Sequence, residues 1–359
     1  MRIGLIIYGD LRTISGGYIY DRMLTEYLRR RGDHVEVISL SLRNYPRHLA
    51  DNISRALRHR LWKASLDVLL EDELNHPSLF WTNRWLSDKI SYPIISIVHH
   101  LRCSEHRPKW QNHLYQWIER LYLQSVTAFI YNSHTTARAV ETVIQAKRPG
   151  VIAYPAGDRL HVKIGPSEII ERARRTGPLR IVFVGNVIPR KGVDVLISGL
   201  GLLPRDSWQL DVVGSLTVNP TYVRDIRRQI ARRGLTDRVR LSGLLPDTEL
   251  ISRLAASHVL AVPSSYEGYG IVYIEAMGFG LPILASNAGA IPELVTHGKE
   301  GFLISPGNAA ALAHYVDRLH RDRDQLAQVS RAALERYRRH PTWAESSERI
   351  REFLHTIVR

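Results

Sequence analysis

VLAVPSSYEGYGIVYIEAMG, residues 259–278, passes from strand to loop to helix in a single short stretch. Val259–Val262 is an unbroken apolar run closed by Pro263, as expected of a strand buried on both faces. The loop Pro263–Gly268 follows, and Gly268 and Gly270 turn the chain into a helix over about Ile271–Phe279. The same unit recurs on either side. Leu179–Val184 ends at Gly185 and leads to a helix over about Val193–Leu203. Gln209–Val213 ends at Gly214 and leads to a basic helix, about Thr221–Arg233. Val239–Leu241 ends at Gly243, with a helix from about Asp247, and Pro282–Ala285 is a further strand. Five strands alternating with helices predict a doubly wound parallel sheet. The five glycines at 185, 214, 243, 268 and 270 all fall at its carboxyl edge, where such sheets bind ligands.

The first half opens in the same way. Arg2–Tyr8 reads as a first strand rather than a leader peptide. It is followed by Ser15-Gly16-Gly17, a helical pattern over Tyr18–Arg31 stopped by Gly32, and a strand at His34–Leu40. Ile94–Val98 and Ala128–Asn132 are further buried-strand candidates. The expected organisation is an α/β chain of two doubly wound domains, residues 1–165 and 179–340. A linker is expected at 166–178, in a polar, basic stretch that begins near Arg159. A last helix, 341–359, is expected to pack back toward the first domain.

Composition narrows the class. The chain has 359 residues, 44% of them hydrophobic and 23% charged, which suits two soluble domains. No apolar run approaches the roughly 20 residues needed to span a bilayer. The lone Cys103 excludes an intrachain disulfide and fits a reducing compartment, so a cytoplasmic location is expected. The net charge of +14 divides as +8 over residues 1–165 and +6 over the rest. A charge spread this evenly, with no accompanying motif, points to anionic substrates or an anionic membrane face rather than to nucleic acid.

The residues with chemical potential gather at the loop ends. Glu267 lies in the loop and Glu275 in the second turn of the following helix. A loop carboxylate there can accept sugar hydroxyls, and one further along can accept ribose hydroxyls. Arg190 and Lys191 follow a strand-end glycine and precede a helix, so two cations are placed to hold a diphosphate and offset charge on a leaving group. Gly16-Gly17, at the first strand-to-helix turn, can offer backbone N–H groups to a phosphate. His99 and His100 close an apolar strand. His106 and His113 make the region histidine-rich, but carboxylate or thiolate partners at ligand spacing are missing, and no metal site is expected. The Asp322-Arg323-Asp324 run falls in a charged helix away from these motifs and reads as surface.

Together these segments resemble family 4 of the retaining glycosyltransferases (glycosyl transferases group 1). The resemblance rests on Phe183–Asn186 with Pro189–Gly192, on Val212–Ser215, on Leu241–Gly243, on Glu267 through Glu275, on Asn287–Val295 and on Glu300–Ile304. It is looser in the first half, through Gly16-Gly17, His99-His100-Leu101 and Asn132-Ser133. It implies two Rossmann-like domains facing across a cleft, the GT-B fold, and a metal-independent, retaining glycosyltransferase without a cofactor, the nucleotide-sugar being a substrate. By resemblance, donor contacts would come from Gly16, Gly17, Gly185, Asn186, Arg190, Lys191, Gly214, Gly243, Glu267, Gly268, Tyr269, Gly270, Ile271, Glu275 and Gly289. Ala288 and Glu293 would line the same site. Glu267, His99, His100, Arg190 and Lys191 would act at the reacting centre. The family commonly has His-Asp where His99-His100 stands, which leaves open which histidine serves, and often a glycine at Ala290.

Other readings of the motifs are a sugar phosphorylase or nucleotide-sugar epimerase on the same fold, or an inactive nucleotide-sugar-binding or scaffold protein. The acceptor is expected to be a carbohydrate or glycolipid. Outside the family motifs, Arg43–Lys63 carries six cations against Asp51, with Leu49, Ile53, Leu57, Leu61 and Trp62 at helical spacing. It reads either as a basic amphipathic surface for anionic lipid at the inner membrane face or as a helix packed on its own core.

Overall fold

A computed structural model describes residues 1–105, 107–161 and 164–358. His106, Val162, Lys163 and Arg359 lie outside the described residues. The chain divides into two compact units, Met1–Pro155 with Pro341–Arg359, and Ala156–His340. The division falls before the expected linker at 166–178. Much of that stretch is the helix Pro166–Arg174, which packs against the helix Arg323–Arg338 inside the second unit.

The first unit holds six parallel strands, β1 Arg2–Tyr8, β2 His34–Leu40, β3 Val68–Asp72, β4 Ile94–Val98, β5 Ala128–Tyr131 and β6 Gly150–Ile152. Their order is β2-β1-β3-β4-β5-β6. The strand order reverses between β1 and β3, so the loops leaving those two strands part and open a crevice. β3, β4 and β5 are buried along their whole length, as parallel strands covered on both faces must be. The helix Gly16–Arg30 follows β1 and buries Ile19, Tyr20, Leu24 and Leu28.

The terminal helix Trp343–Val358 belongs to this first unit and packs on the helix Gly16–Arg30. Its buried Trp343 meets the Tyr20 ring edge-on at 5.7 Å. Tyr27 donates to Glu348 at 2.6 Å, and Arg351 to the buried Asp33 at 2.7 Å.

The second unit holds β7 Leu179–Val184, β8 Trp208–Val213, β9 Val239–Gly243, β10 Val259–Val262, β11 Ile283–Ser286 and β12 Gly301–Ile304. The order is β12-β11-β10-β7-β8-β9, again all parallel. This is the dinucleotide-fold order, with its switch point between β7 and β10. The sequence reading found five of these strands and missed β12, and it missed β3 and β6 in the first unit.

The stretch Arg43–Lys63 is two helices, not one. Asn44 caps Tyr45–Asp51 and Ser54 caps Arg55–Lys63, each side chain accepting a backbone N–H. Leu57 and Leu61 are buried in the first unit's core, while Ile53 and Trp62 stay exposed. Among the described residues, no helix is long and apolar enough to cross a membrane.

The terminal helix is expected to stabilise the first unit. Trp343→Ala should cost about 3–5 kcal/mol, the usual range for emptying a buried indole site, read as a shift of the urea midpoint. A change under about 1 kcal/mol would mean that the helix is not packed on this unit.

Candidate functional site

In the second unit the expected residues gather at the β7/β10 switch point. Arg190 and Lys191 occupy the short turn Pro189–Lys191 that leaves β7. Glu267 lies in the loop leaving β10. Lys191 Nζ donates to Glu267 Oε2 at 2.5 Å, and Arg190 Nη1 lies 3.7 Å from the same oxygen. Arg190 also donates to the Tyr266 carbonyl at 2.8 Å, and the Ser265 amide donates to the Arg190 carbonyl at 2.8 Å. Ser264 adds a hydroxyl to Glu267 at 3.2 Å. The two loops are thereby tied together by side chains and backbone.

Both members of the central pair are buried. Burial pushes the Glu267 carboxyl up, but Lys191, Arg190 and the hydrogen bonds from Lys191 and Ser264 together bring it below its ordinary value. Burial also depresses Lys191, more than Glu267 restores it. The result is an ionised carboxylate beside two cations.

The loop after β11 closes this arrangement from below. The Ala290 amide donates to the Glu267 carbonyl at 3.1 Å. Gly289 has φ +59°, and a Cβ there would lie 1.9 Å from that carbonyl oxygen, so only glycine fits. Gly185, Gly214 and Gly243 stand at the ends of β7, β8 and β9. They are joined along the edge by bonds from Gly185 N to Val213 O (2.9 Å) and from Gly214 N to Gly243 O (2.8 Å). Asn186 follows Gly185 and turns the chain back, its carbonyl accepting from the Ile188 amide. Gly268, Tyr269 and Gly270 lead into the helix Ile271–Gly278. The Tyr269 hydroxyl lies 3.2 Å from His340 Nε2, and the Glu293 carbonyl accepts from Arg336 at 2.6 Å.

Glu275 stands apart from the Glu267 group and is almost wholly buried. Its Oε1 accepts from Arg159 Nε at 2.5 Å, and Arg159 Nη1 also meets both oxygens of the exposed Asp247 at 2.9 Å. Burial raises the Glu275 carboxyl despite Arg159. Arg159 escaped the sequence reading because it begins the stretch read as polar and basic; no local signal marks it.

The first unit gathers a second group at the β1/β3 crevice. His99 follows β4, and its Nε2 lies 3.2 Å from Oδ1 of the wholly buried Asp21, on the helix Gly16–Arg30. Asp72 closes β3 beside it. Asn132 donates to the His99 carbonyl at 2.6 Å, fixing the strand end. A Cβ on Gly17 would lie 3.0 Å from the His99 ring, so the glycine lets helix and imidazole meet. Gly16 begins the same helix, whose cap residue Ser15 supplies no side-chain acceptor. Burial alone would depress His99, but Asp21, Asp72 and Glu73 outweigh it and raise it to about 9. His99 is therefore an imidazolium at neutral pH. His100 is more exposed and meets Glu105 at 3.1 Å.

Asp21, Asp72 and Glu73 are the buried carboxylates that act on this histidine, and others lie elsewhere in the same unit. Burial pushes Glu71, Glu73 and Glu119 up to about 7 each, and raises Asp72. Two groups among the described residues have ligand atoms within 4.8 Å of one another: Asp21, Asp72 and His99, and Glu73, His76 and Glu119. These are the side chains able to hold a cation. His99 meets Asp21 through Nε2, and His76 meets Tyr45 at 3.0 Å and Glu73 at 3.0 Å. Of these the sequence reading named only His99; Asp72 and Glu73 escaped it because β3 was missed, and Asp21, His76 and Glu119 carry no local signal.

Residues 167–336 match the family described as Glycosyl transferases group 1. The match lies within the second unit, whose sequence is similar to that family. Among similar proteins, an uncharacterized 41.2 kDa protein of the cps region of Klebsiella pneumoniae is 24% identical over 65% of this chain and 63% of its own. The GDP-mannose-dependent alpha-(1-6)-phosphatidylinositol monomannoside mannosyltransferase of Mycobacterium tuberculosis is 29% identical over 52% of this chain and 50% of its own. The chain thus spans less than two thirds of these relatives' lengths. Sucrose-phosphate synthase of Thermosynechococcus elongatus superposes with a TM-score of 0.83 at 20% identity, covering 99% of this chain and 98% of that one. HepE of Anabaena, solved with UDP, gives 0.79 at 21%, covering 99% and 100%. Likeness at this identity shows the GT-B fold.

The histidine cluster makes a pH prediction. A group raised in the folded state stabilises it fully below its unfolded value and loses that contribution as pH rises through the folded one. For His99 the window runs from about 6.5 to about 9. The raised carboxyls lose theirs between about 4 and about 7. His76, depressed to about 4 by burial, works oppositely but only up to about 6.5. Stability should therefore fall from pH 6.5 to 9, and Asp21→Asn should flatten that slope and bring the His99 titration, followed by NMR, down toward or below 6.5. A His99 titration unmoved by Asp21→Asn would dismiss the pairing.

Proposed function

We propose that this chain is a retaining, metal-independent glycosyltransferase that moves a sugar from a nucleotide-sugar donor to a hydroxyl of a carbohydrate or glycolipid. The observation that carries the reading is the Arg190–Lys191–Glu267 group at the switch point of a domain similar to the group 1 glycosyl transferases. The bond from the anomeric carbon to the diphosphate oxygen breaks as the acceptor oxygen bonds that carbon on the same face. The acceptor's proton passes to the departing phosphate oxygen. Arg190 and Lys191 supply the positive charge that stabilises this leaving group, a role that in other transferases a divalent cation fills.

Glu267, held ionised by its two cations, is suited to accept sugar hydroxyls while charge builds at the anomeric carbon. When a diphosphate engages Lys191, the carboxylate loses part of its partner and turns toward those hydroxyls. Glu275 is suited to the ribose, with Arg159 keeping its carboxylate in place. In the first unit, the His99 imidazolium and the backbone of Gly16 and Gly17 are the groups suited to an anionic or hydroxyl-bearing substrate. UDP in HepE and GDP-mannose in the mycobacterial relative's name support a nucleotide-sugar donor.

Lys191→Ala and Arg190→Ala should each lower turnover about 10²–10³-fold, as removing one preorganised charge-stabilising donor does. The assay is nucleotide release from UDP-, GDP- and ADP-sugars, with and without EDTA. Turnover unchanged in both variants would remove the phosphate role, and release abolished by EDTA would remove metal independence.

A further inference from the structure

The helix Lys109–Leu123 carries a stripe that neither the fold nor the proposed transfer reaction uses. Ile118, Tyr122 and Leu123 are buried in the first unit's core. On the opposite side, Trp110 is 68% exposed, Leu114 46% and Trp117 59%. Spacings of four and three residues place these three on one helical face. Leaving two indoles and a leucine in water is unfavourable, and an aligned group of them marks a docking surface rather than scatter.

The residues around the stripe say what docks there. The other exposed positions of the helix are Lys109, His113, Gln116 and Arg120. Its one acid, Glu119, points inward and accepts the amides of Arg102 and Cys103. The exposed face is thus aromatic, aliphatic and basic, with no carboxylate. Arg102 and Arg107 lie over the Tyr115 ring at 4.7 and 5.4 Å. Tyr115 packs edge-on against Tyr45 at 4.8 Å. This joins the helix Lys109–Leu123 to the helix Tyr45–Asp51, on and beside which Arg47 and Arg43 are exposed, Arg43 pairing with Asp51 at 3.3 Å. Tryptophan seats at the boundary between headgroups and acyl chains, and neighbouring lysine and arginine meet anionic headgroups.

We infer that the helix Lys109–Leu123 is an interfacial helix that seats the first unit on an anionic phospholipid bilayer, with Trp110, Leu114 and Trp117 entering the headgroup–acyl boundary. The membrane contact expected from Arg43–Lys63 is thereby moved: that stretch turns Leu57 and Leu61 inward and contributes charge rather than the apolar face. The inference is independent of the transfer reaction, since vesicle binding is read without turnover.

The test uses the full chain with vesicles of phosphatidylcholine alone and of phosphatidylcholine mixed with phosphatidylglycerol, scored by co-sedimentation and by quenching of tryptophan fluorescence with acyl-brominated lipid. Binding to the anionic vesicles with quenching is expected, weakening as salt is raised, and little binding to phosphatidylcholine alone. Trp110→Ser with Trp117→Ser should weaken binding at least about tenfold and remove most quenching, while leaving the unfolding midpoint and nucleotide binding in place. Arg55→Ser with Arg60→Ser should leave quenching intact. Trp62 and Trp81 are exposed as well, so the difference between wild type and the tryptophan variant decides. No binding to anionic vesicles, binding without quenching, or a tryptophan variant that binds as wild type would each overturn the inference. So would concentration-dependent self-association abolished by that variant, which would make the stripe an interface between two copies. Should the double variant fail to fold, the single variants Trp110→Ser and Trp117→Ser decide by the same difference.

Discussion

Parallel strands fix where everything else in this protein can lie. Each strand of a parallel sheet ends on the same edge, so every loop leaving a strand collects there. The strand order then reverses at one point, and the loops on either side of it diverge. Both units obey this constraint, at β1/β3 and at β7/β10. Charged residues gather at those two points, Lys191, Arg190 and Glu267 at one and Asp21, Asp72 and His99 at the other.

The two groups solve the burial of charge differently. In the second unit, Glu267 is ionised and compensated by Lys191 and Arg190, so breaking one partner leaves a buried charge alone. In the first unit, more carboxyls than cations are buried. Glu71, Glu73 and Glu119 are held near neutrality by burial, and the proton they retain lowers the net charge. His99 and Arg102 both bring positive charge to Glu73. One group is an ion pair suited to meeting a strongly charged ligand; the other gathers carboxyls that burial raises, with His99 raised by Asp21, Asp72 and Glu73.

The sequence showed the second unit more clearly than the first for a physical reason. Arg190, Lys191 and Glu267 each sit next to a glycine or proline in a loop that leaves a strand, and such punctuation survives in a linear reading. β3 has the opposite character. It is five residues long, and two of its buried residues are Glu71 and Asp72, which read as a turn. Its function in the sheet depends on neighbours far away in sequence, Ile6 and Ile97 among them. Asp21 likewise reads as the polar face of a helix until β4 brings His99 to it. Arg159 pairs with Glu275 across more than a hundred residues, and nothing near it announces the partner. The helix break at Ser54 was in principle legible as a cap, but the continuing apolar spacing concealed it.

The terminal helix carries a further consequence for how the chain is made. Residues 156–340 are inserted within the first unit, whose terminal helix is translated after the whole of the inserted unit. The second unit has all its strands in hand before Trp343 is synthesised. The first unit, although its sheet is translated earliest, waits with the Tyr20 and Leu24 side of its first helix lacking the terminal helix. Order of synthesis and order of completion are therefore reversed. The inserted unit has its full sheet first, and the outer unit is sealed only when its aromatic latch arrives.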